Sequence, residues 1–146
     1  MKKTEVRPFH LALPVTDLGD TRRFYIETLG CDVGRESSRG VDLNFFGHQV
    51  TLHLVDVAAW QQASNEVDDA AVPASHFGVI LRPADWRALA DRLTAADIEF
   101  IIPPKVRFEG QTGEQATMFF RDPSGNALEF KSFADDAAIF AAYALS

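Results

Sequence analysis

Four side chains able to bind a metal ion or carry a proton lie inside short apolar runs of this chain. They are His10 in Phe9–Val15, His53 in Gln49–Val55, His76 in Ser75–Leu81 and Glu129 in Ala127–Lys131. Side chains alternate along a strand, so each of these runs has two faces. His53 falls with Gln49 and Thr51, opposite Val50, Leu52 and Leu54, and Glu129 falls with Ala127 and Lys131, opposite Leu128 and Phe130. His10 shares its face with Ala12 and His76 with Gly78, small neighbours that leave room above a sheet. Imidazole and carboxylate together suit Zn, Ni, Mn or Fe(II), and two histidines plus one carboxylate with open positions is the arrangement typical of non-haem Fe(II). Taken singly, a histidine on a strand is more often a polar residue satisfied by a neighbour. Here three of the four histidines stand on such faces, and only His48, in the Phe46-Gly47-His48 turn, is expected to be a solvated turn residue. With an ordinary pKa near 6.5, His53 can also exchange a proton at neutral pH, so it is expected as an acid-base group or a fourth ligand.

The elements that must position these groups repeat. Phe9–Val15 reads as a strand, Thr16-Asp17 as a cap, and Leu18, Phe24, Tyr25 and Leu29 recur at helical spacing until Gly30. Three short strands follow over 31–37, 41–46 and 49–55, separated by Ser38-Arg39-Gly40 and Gly47-His48. Ser75–Leu81 opens a second series, and Pro83 starts a helix with Trp86, Leu89, Ala90 and Leu93 on one side. A strand over 100–106, interrupted by Pro103-Pro104, precedes a hairpin turned by Asp122-Pro123-Ser124-Gly125. The order is βαβββ twice: module one over 7–56, a connector over 57–74 with one helical turn around Trp60, module two over 75–133, and a C-terminal helix over 134–146. The expected class is α+β, with paired ferredoxin-like modules in one domain over 1–146. Internal repetition extends to the chemistry. His10 and His76 open their modules, and Thr51-Leu52-His53-Leu54 is matched to Ala127-Leu128-Glu129-Phe130, which makes His53 the expected counterpart of Glu129.

With 146 residues, 47% of them hydrophobic and 12 of them Phe, the chain can bury a core of its own. A net charge of −7 argues against nucleic acid or an anionic membrane as partner and leaves a small molecule as the expected one. One cysteine, Cys31, excludes an internal disulfide and a cysteine-based zinc cluster; it is expected to be a small packing residue. The N-terminal residues hold no secretory apolar stretch, and no run reaches membrane-spanning length, so a cytoplasmic protein is expected. Phe46 and Phe119, with Phe108, are candidate aromatic walls of a substrate pocket, where Thr51 would stand and Lys131, beside Glu129, would meet an anionic group.

The doubled βαβββ order, the HLALPV and HFGVIL openings, the helix ending in Leu29-Gly30 and the RDPSGNALEF close together resemble the vicinal oxygen chelate superfamily. That superfamily contains glyoxalases, extradiol dioxygenases and fosfomycin-resistance thiol transferases. The resemblance covers nearly the whole chain and implies a cupped mixed sheet holding one divalent metal through His10, His76 and Glu129. Glyoxalase I enzymes place an acid where His53 is matched, whereas extradiol dioxygenases carry an acid-base histidine in the pocket. The tyrosine that such dioxygenases place ahead of the final Glu is replaced here by Phe119 and Phe120. The close is most similar to small extradiol-dioxygenase-like proteins, which implies ring cleavage of a small aromatic diol with Fe(II). A glyoxalase-like isomerase or lyase, a thiol transferase and a non-catalytic binding protein are the alternatives. A homodimer is expected, with the connector long enough to let modules of two chains pair.

Overall fold

The computed structural model describes residues 6–57, 64–67 and 70–142, with the backbone alone for 64–67 and 70. The chain divides into two compact units, residues 1–60 and 61–146.

In the first unit β1 (His10–Val15) runs parallel to β4 (His48–Leu54), which pairs antiparallel with β3 (Gly40–Phe45), and β3 with the edge strand β2 (Asp32–Ser37). Parallel pairing of β1 with β4 requires a crossover, which α1 (Leu18–Arg23) and a π-helical turn over Phe24–Thr28 supply. Asp17 caps α1 by accepting from the Asp20 amide at 2.9 Å. The alternation read from sequence holds: Leu13, Val15, Val50 and Leu52 are buried with Tyr25 and Phe45, whose rings meet edge to face at 6.3 Å. His10, Ala12, Pro14, Gln49 and His53 are exposed on the other face. Every residue of β2 is exposed, and Glu36 on it takes a two-pronged bond from Arg22 of α1 at 2.7 and 2.8 Å.

The second unit repeats the plan. Strand β7 (His76–Phe77) runs parallel to β10 (Ala127–Phe133), followed in the sheet by β9 (Gln115–Arg121) and β8 (Phe100–Arg107), with α2 (Pro83–Ala95) as crossover. Trp86, Leu89, Ala90 and Leu93 of α2 are buried, and the Trp86 indole donates to the Phe130 carbonyl at 2.9 Å, pinning helix to sheet. Phe120 and Phe130 stack at 5.9 Å among these residues. Pro103-Pro104 does not end β8 but coincides with a shift in its register against β9, since a proline ring can donate no ladder bond.

Three expectations need amendment. The connector holds a hairpin, β5 (Ser64–Val67) with β6 (Ala70–Pro73), and the helical turn expected around Trp60 lies outside the described residues. The C-terminal helix expected over 134–146 is, among the described residues, a single 3₁₀ turn at Asp136–Ala138, capped by Asp135; Phe140 beyond it is almost fully exposed, so this segment lacks the buried stripe that sustains a helix. His48 is not merely solvated: its Nδ1 accepts from the Phe9 amide at 2.9 Å and ties the start of β1 to β4.

Candidate metal and substrate site

In the first unit, His10 registers with Gln49 on β4, and the two side chains meet, Nδ1 to Oε1, at 2.8 Å. An amide oxygen only accepts, so Nδ1 carries a proton, and in the neutral ring the lone pair is then on Nε2. In the second unit His76 registers with Ala127, and its Nδ1 lies 3.0 Å from the Pro73 carbonyl, which imposes the same tautomer. Both imidazoles are therefore held as metal-binding histidines usually are, one nitrogen tied to an oxygen and the other left to donate electrons. The His76 ring also stands edge-on to Phe119 at 5.1 Å. Phe119 is buried with Val72 and Ile102, so this expected pocket wall is also core beneath His76.

Glu129 lies on the same face as His76, two residues beyond Ala127 and opposite Phe119 in the register with β9. Its carboxylate is about nine-tenths buried and pairs with Lys131 Nζ at 3.3 Å. Gly78 lets the chain just after β7 lie close against β10: a Cβ built there would fall onto the Glu129 carbonyl oxygen, so any other residue would push the two apart. The turn before β10 is fixed by Asp122, buried, whose carboxylate accepts from the Ser124 and Asn126 amides and from Asn126 Nδ2, each at 2.9 Å. Gly125, at φ 91°, takes the left-handed conformation this turn needs.

The register corrects the assignment of His53. Two residues beyond the partner of His76 stands Glu129; two residues beyond Gln49, the partner of His10, stands Thr51. Thr51 and not His53 is thus the counterpart of Glu129. His53 registers with Pro14, four residues along from the row of His10, about 13 Å at strand rise. No single ion can be shared across that span, which removes His53 as a fourth ligand beside His10. The matching of short motifs by residue type, histidine to acid, slipped by two because a step of two preserves the face. Thr51 donates to Asp42 Oδ1 at 2.7 Å, and Asp42 in turn faces Arg35 at 3.4 Å. Around this row run two contiguous grooves, of about 670 Å³ beside His10 and about 300 Å³ beside His53, sharing Arg35 and Asp42. Phe46 sits at the β3–β4 turn at φ 52°, its ring edge to face with Phe45 at 5.0 Å.

Among the described residues no three His, Cys, Asp or Glu side chains are gathered about one point as a metal centre. His10 belongs to the first unit, His76 and Glu129 to the second. Each part nonetheless carries donors that suit a divalent ion, imidazoles whose Nδ1 is tied to an oxygen and a carboxylate on the face of one of them.

The sequence matches the family model described as Glyoxalase/Bleomycin resistance protein/Dioxygenase superfamily over residues 7–130. The chain belongs to that superfamily. A glyoxalase/bleomycin resistance protein/dioxygenase from Alicyclobacillus acidocaldarius is 33% identical, with a TM-score of 0.79 over 94% of this chain and 99% of that one. Virulence protein STM3117 of Salmonella typhimurium is 27% identical over 124 residues, 85% of this chain and 82% of the relative. The fosfomycin resistance protein FosX from Listeria monocytogenes, at 16% identity, has a TM-score of 0.67 over 92% of this chain and 98% of its own, a likeness of fold. Two four-stranded mixed sheets with βαβββ order are what this superfamily's architecture predicts.

Gln49 and the Pro73 carbonyl, which orient the two imidazoles, were not singled out from sequence. Gln49 was readable, since it shares the face of His53 at the start of the same strand; a backbone carbonyl carries no sequence signal.

Proposed function

We propose that the chain is a metal-dependent enzyme in which His10, His76 and Glu129 hold one divalent ion, Fe(II) by preference, and that it cleaves a small aromatic diol in extradiol fashion. The observation that carries this reading is the register: the fourth equivalent position is Thr51, a hydroxyl already bonded to Asp42, so the donor set stops at two histidines and one carboxylate. Such a set leaves coordination positions open, as non-haem iron oxygenases require, whereas a four-ligand isomerase site would need an acid there. Bound Fe(II) would supply Lewis acidity to two adjacent substrate oxygens and the redox chemistry for ring cleavage by dioxygen. The chain's own contributions are orientation and charge. Gln49 and the Pro73 carbonyl keep Nδ1 protonated and Nε2 available, and Phe119 backs the His76 ring. Lys131 balances Glu129 and would be released from it as the carboxylate turns to the ion.

Anaerobic reconstitution with Fe(II), followed by oxygen-electrode and ultraviolet assays over a panel of catechols, tests the reaction. Oxygen uptake with a yellow ring-opened product, absent in His76→Ala and restored by no other metal, is expected. Turnover of a hemithioacetal or an epoxide without oxygen would assign a glyoxalase-like isomerase or a thiol transferase instead. Metal analysis should find about one ion per chain, lost on chelation; full occupancy in a His76→Ala, Glu129→Ala double variant would overturn the ligand set.

A further inference from the structure

We infer that Thr117, with Lys131 and Lys105 on either side, forms an oxyanion subsite next to Glu129, so that the substrate carries a carboxylate or another oxyanion group besides its chelating oxygens. This rests on the proposed site at His10, His76 and Glu129. Thr117 lies in the middle of a three-strand row: it registers with Lys131 on β10 and with Lys105 on β8. Residues paired across antiparallel strands point to the same side. Val106, Ala116 and Ser132 line the groove beside Pro83 and Trp86 on the helix side, so the intervening residues Lys105, Thr117 and Lys131 face the other way, with Glu129.

On that face the Thr117 hydroxyl is fully buried and has no hydrogen-bond partner. Buried hydroxyls in native proteins are nearly always paired, so an unpaired one calls for a ligand or a function. Its neighbours say which kind. Lys105, Arg107, Arg121 and Lys131 stand on this face of β8–β10, and Glu129 is the one carboxylate among the described strand residues there. That local excess of cations runs against a chain whose net charge is −7. A hydroxyl able to rotate its proton outward between two ammonium groups is a donor set for an oxyanion. Lys131 is now engaged by Glu129; when that carboxylate turns to an ion, the ammonium becomes available together with the hydroxyl of its cross-strand partner Thr117. Thr117 is one row from Glu129, about 7 Å at strand rise, which places the acid group a few bonds from the chelating oxygens.

The test is a sulfate titration of full-length protein, with and without Zn2+, at constant ionic strength balanced by chloride, followed by the amide NMR signals of Phe119 and Lys131. Sulfate is expected to bind the wild type, more tightly with Zn2+. Thr117→Val should weaken it by about 10- to 100-fold, the worth of a hydrogen bond to a charged group, while leaving Zn2+ affinity unchanged. Thr117→Ser should restore it. Because the hydroxyl is unpaired, Thr117→Val should unfold at the same temperature or higher. Equal sulfate affinity in wild type and Thr117→Val would overturn the subsite, and so would a marked loss of stability in that variant, which would give the hydroxyl a structural partner. If Zn2+ fails to bind but sulfate still depends on Thr117, the metal site falls and the oxyanion subsite stands.

Discussion

The two imidazoles proposed as ligands are prepared in the same way by different means, a side-chain amide for His10 and a backbone carbonyl for His76. Only the first can be removed by substitution. Gln49→Leu keeps approximate volume and leaves Nδ1 without an acceptor, so the proton can move to Nε2 and block it. Loss of such an outer partner typically lowers metal affinity about 10- to 100-fold, and chelator competition should show that drop with the fold intact by circular dichroism; unchanged affinity would show that Gln49 does not orient His10. His53 gives the opposite expectation. Four residues along the sheet from the row of His10, it is too distant to share that ion, so His53→Ala should retain metal and most turnover. A variant that keeps metal and loses turnover would instead restore an acid-base role. At this scale the sequence disclosed which residues have donor atoms and which strand face they occupy, since alternation alone decides that. It did not disclose how far along neighbouring strands they stand, because sliding a strand by two residues changes no face. That is why the strand faces of Glu129 and of both module-opening histidines can be read from sequence while the row of His53 cannot.

Strand and helix positions were readable wherever a buried stripe supports them, as with Trp86, Leu89, Ala90 and Leu93 in α2, and not where an Ala-rich stretch lacks one, as beyond Asp135. The turn between β9 and β10 shows how a motif becomes geometry. Asp122 there accepts three hydrogen bonds while buried, two from backbone amides and one from Asn126. Asp122→Ala should cost about 3 kcal/mol, the range for charged, buried hydrogen bonding, and urea unfolding would read it. A cost below about 0.5 kcal/mol would mean that Pro123 and Gly125 fix the turn without the carboxylate. Gly78 sets the spacing of β7 and β10, and Gly78→Ala should weaken metal binding through Glu129 more than the distant Gly110→Ala does, although Gly110 has positive φ and Gly78 does not. Equal metal affinity in the two variants would dismiss Gly78 as a positioning residue. The edge strand β2 is clipped to α1 by Arg22 and Glu36, whose hydrogen bond holds the Glu36 carboxyl below its ordinary value of 4.5. Its folded pKa being the lower one, the clip contributes fully above the ordinary value and is lost as pH falls through the lower one. Both groups are solvent-exposed, so salt should reduce what little it adds.

A metal bound by all three proposed ligands needs both units, since His10 comes from residues 1–60 and the other two from 61–146. Two copies of the chain offer two ways to do this, each unit meeting the other of its own chain or that of a second. In the first unit the face of β1 and β4 that bears His10, Ala12, Pro14, Gln49 and His53 is exposed, and a sheet face of that kind is what a second copy can cover in a closed two-fold pair. No helix among the described residues is long and apolar enough to cross a membrane. We therefore expect a homodimer in sedimentation at micromolar concentration, with sites formed between chains. Mixing two inactive variants after joint unfolding and refolding decides the second point. His10→Ala and Glu129→Ala each spoil one contribution. In an exchanged dimer of one of each, one site carries both defects and the other carries none, so about a quarter of the wild-type metal sites should return when half of the dimers are mixed. Sites formed within one chain would return none, because every site would then lack either His10 or Glu129.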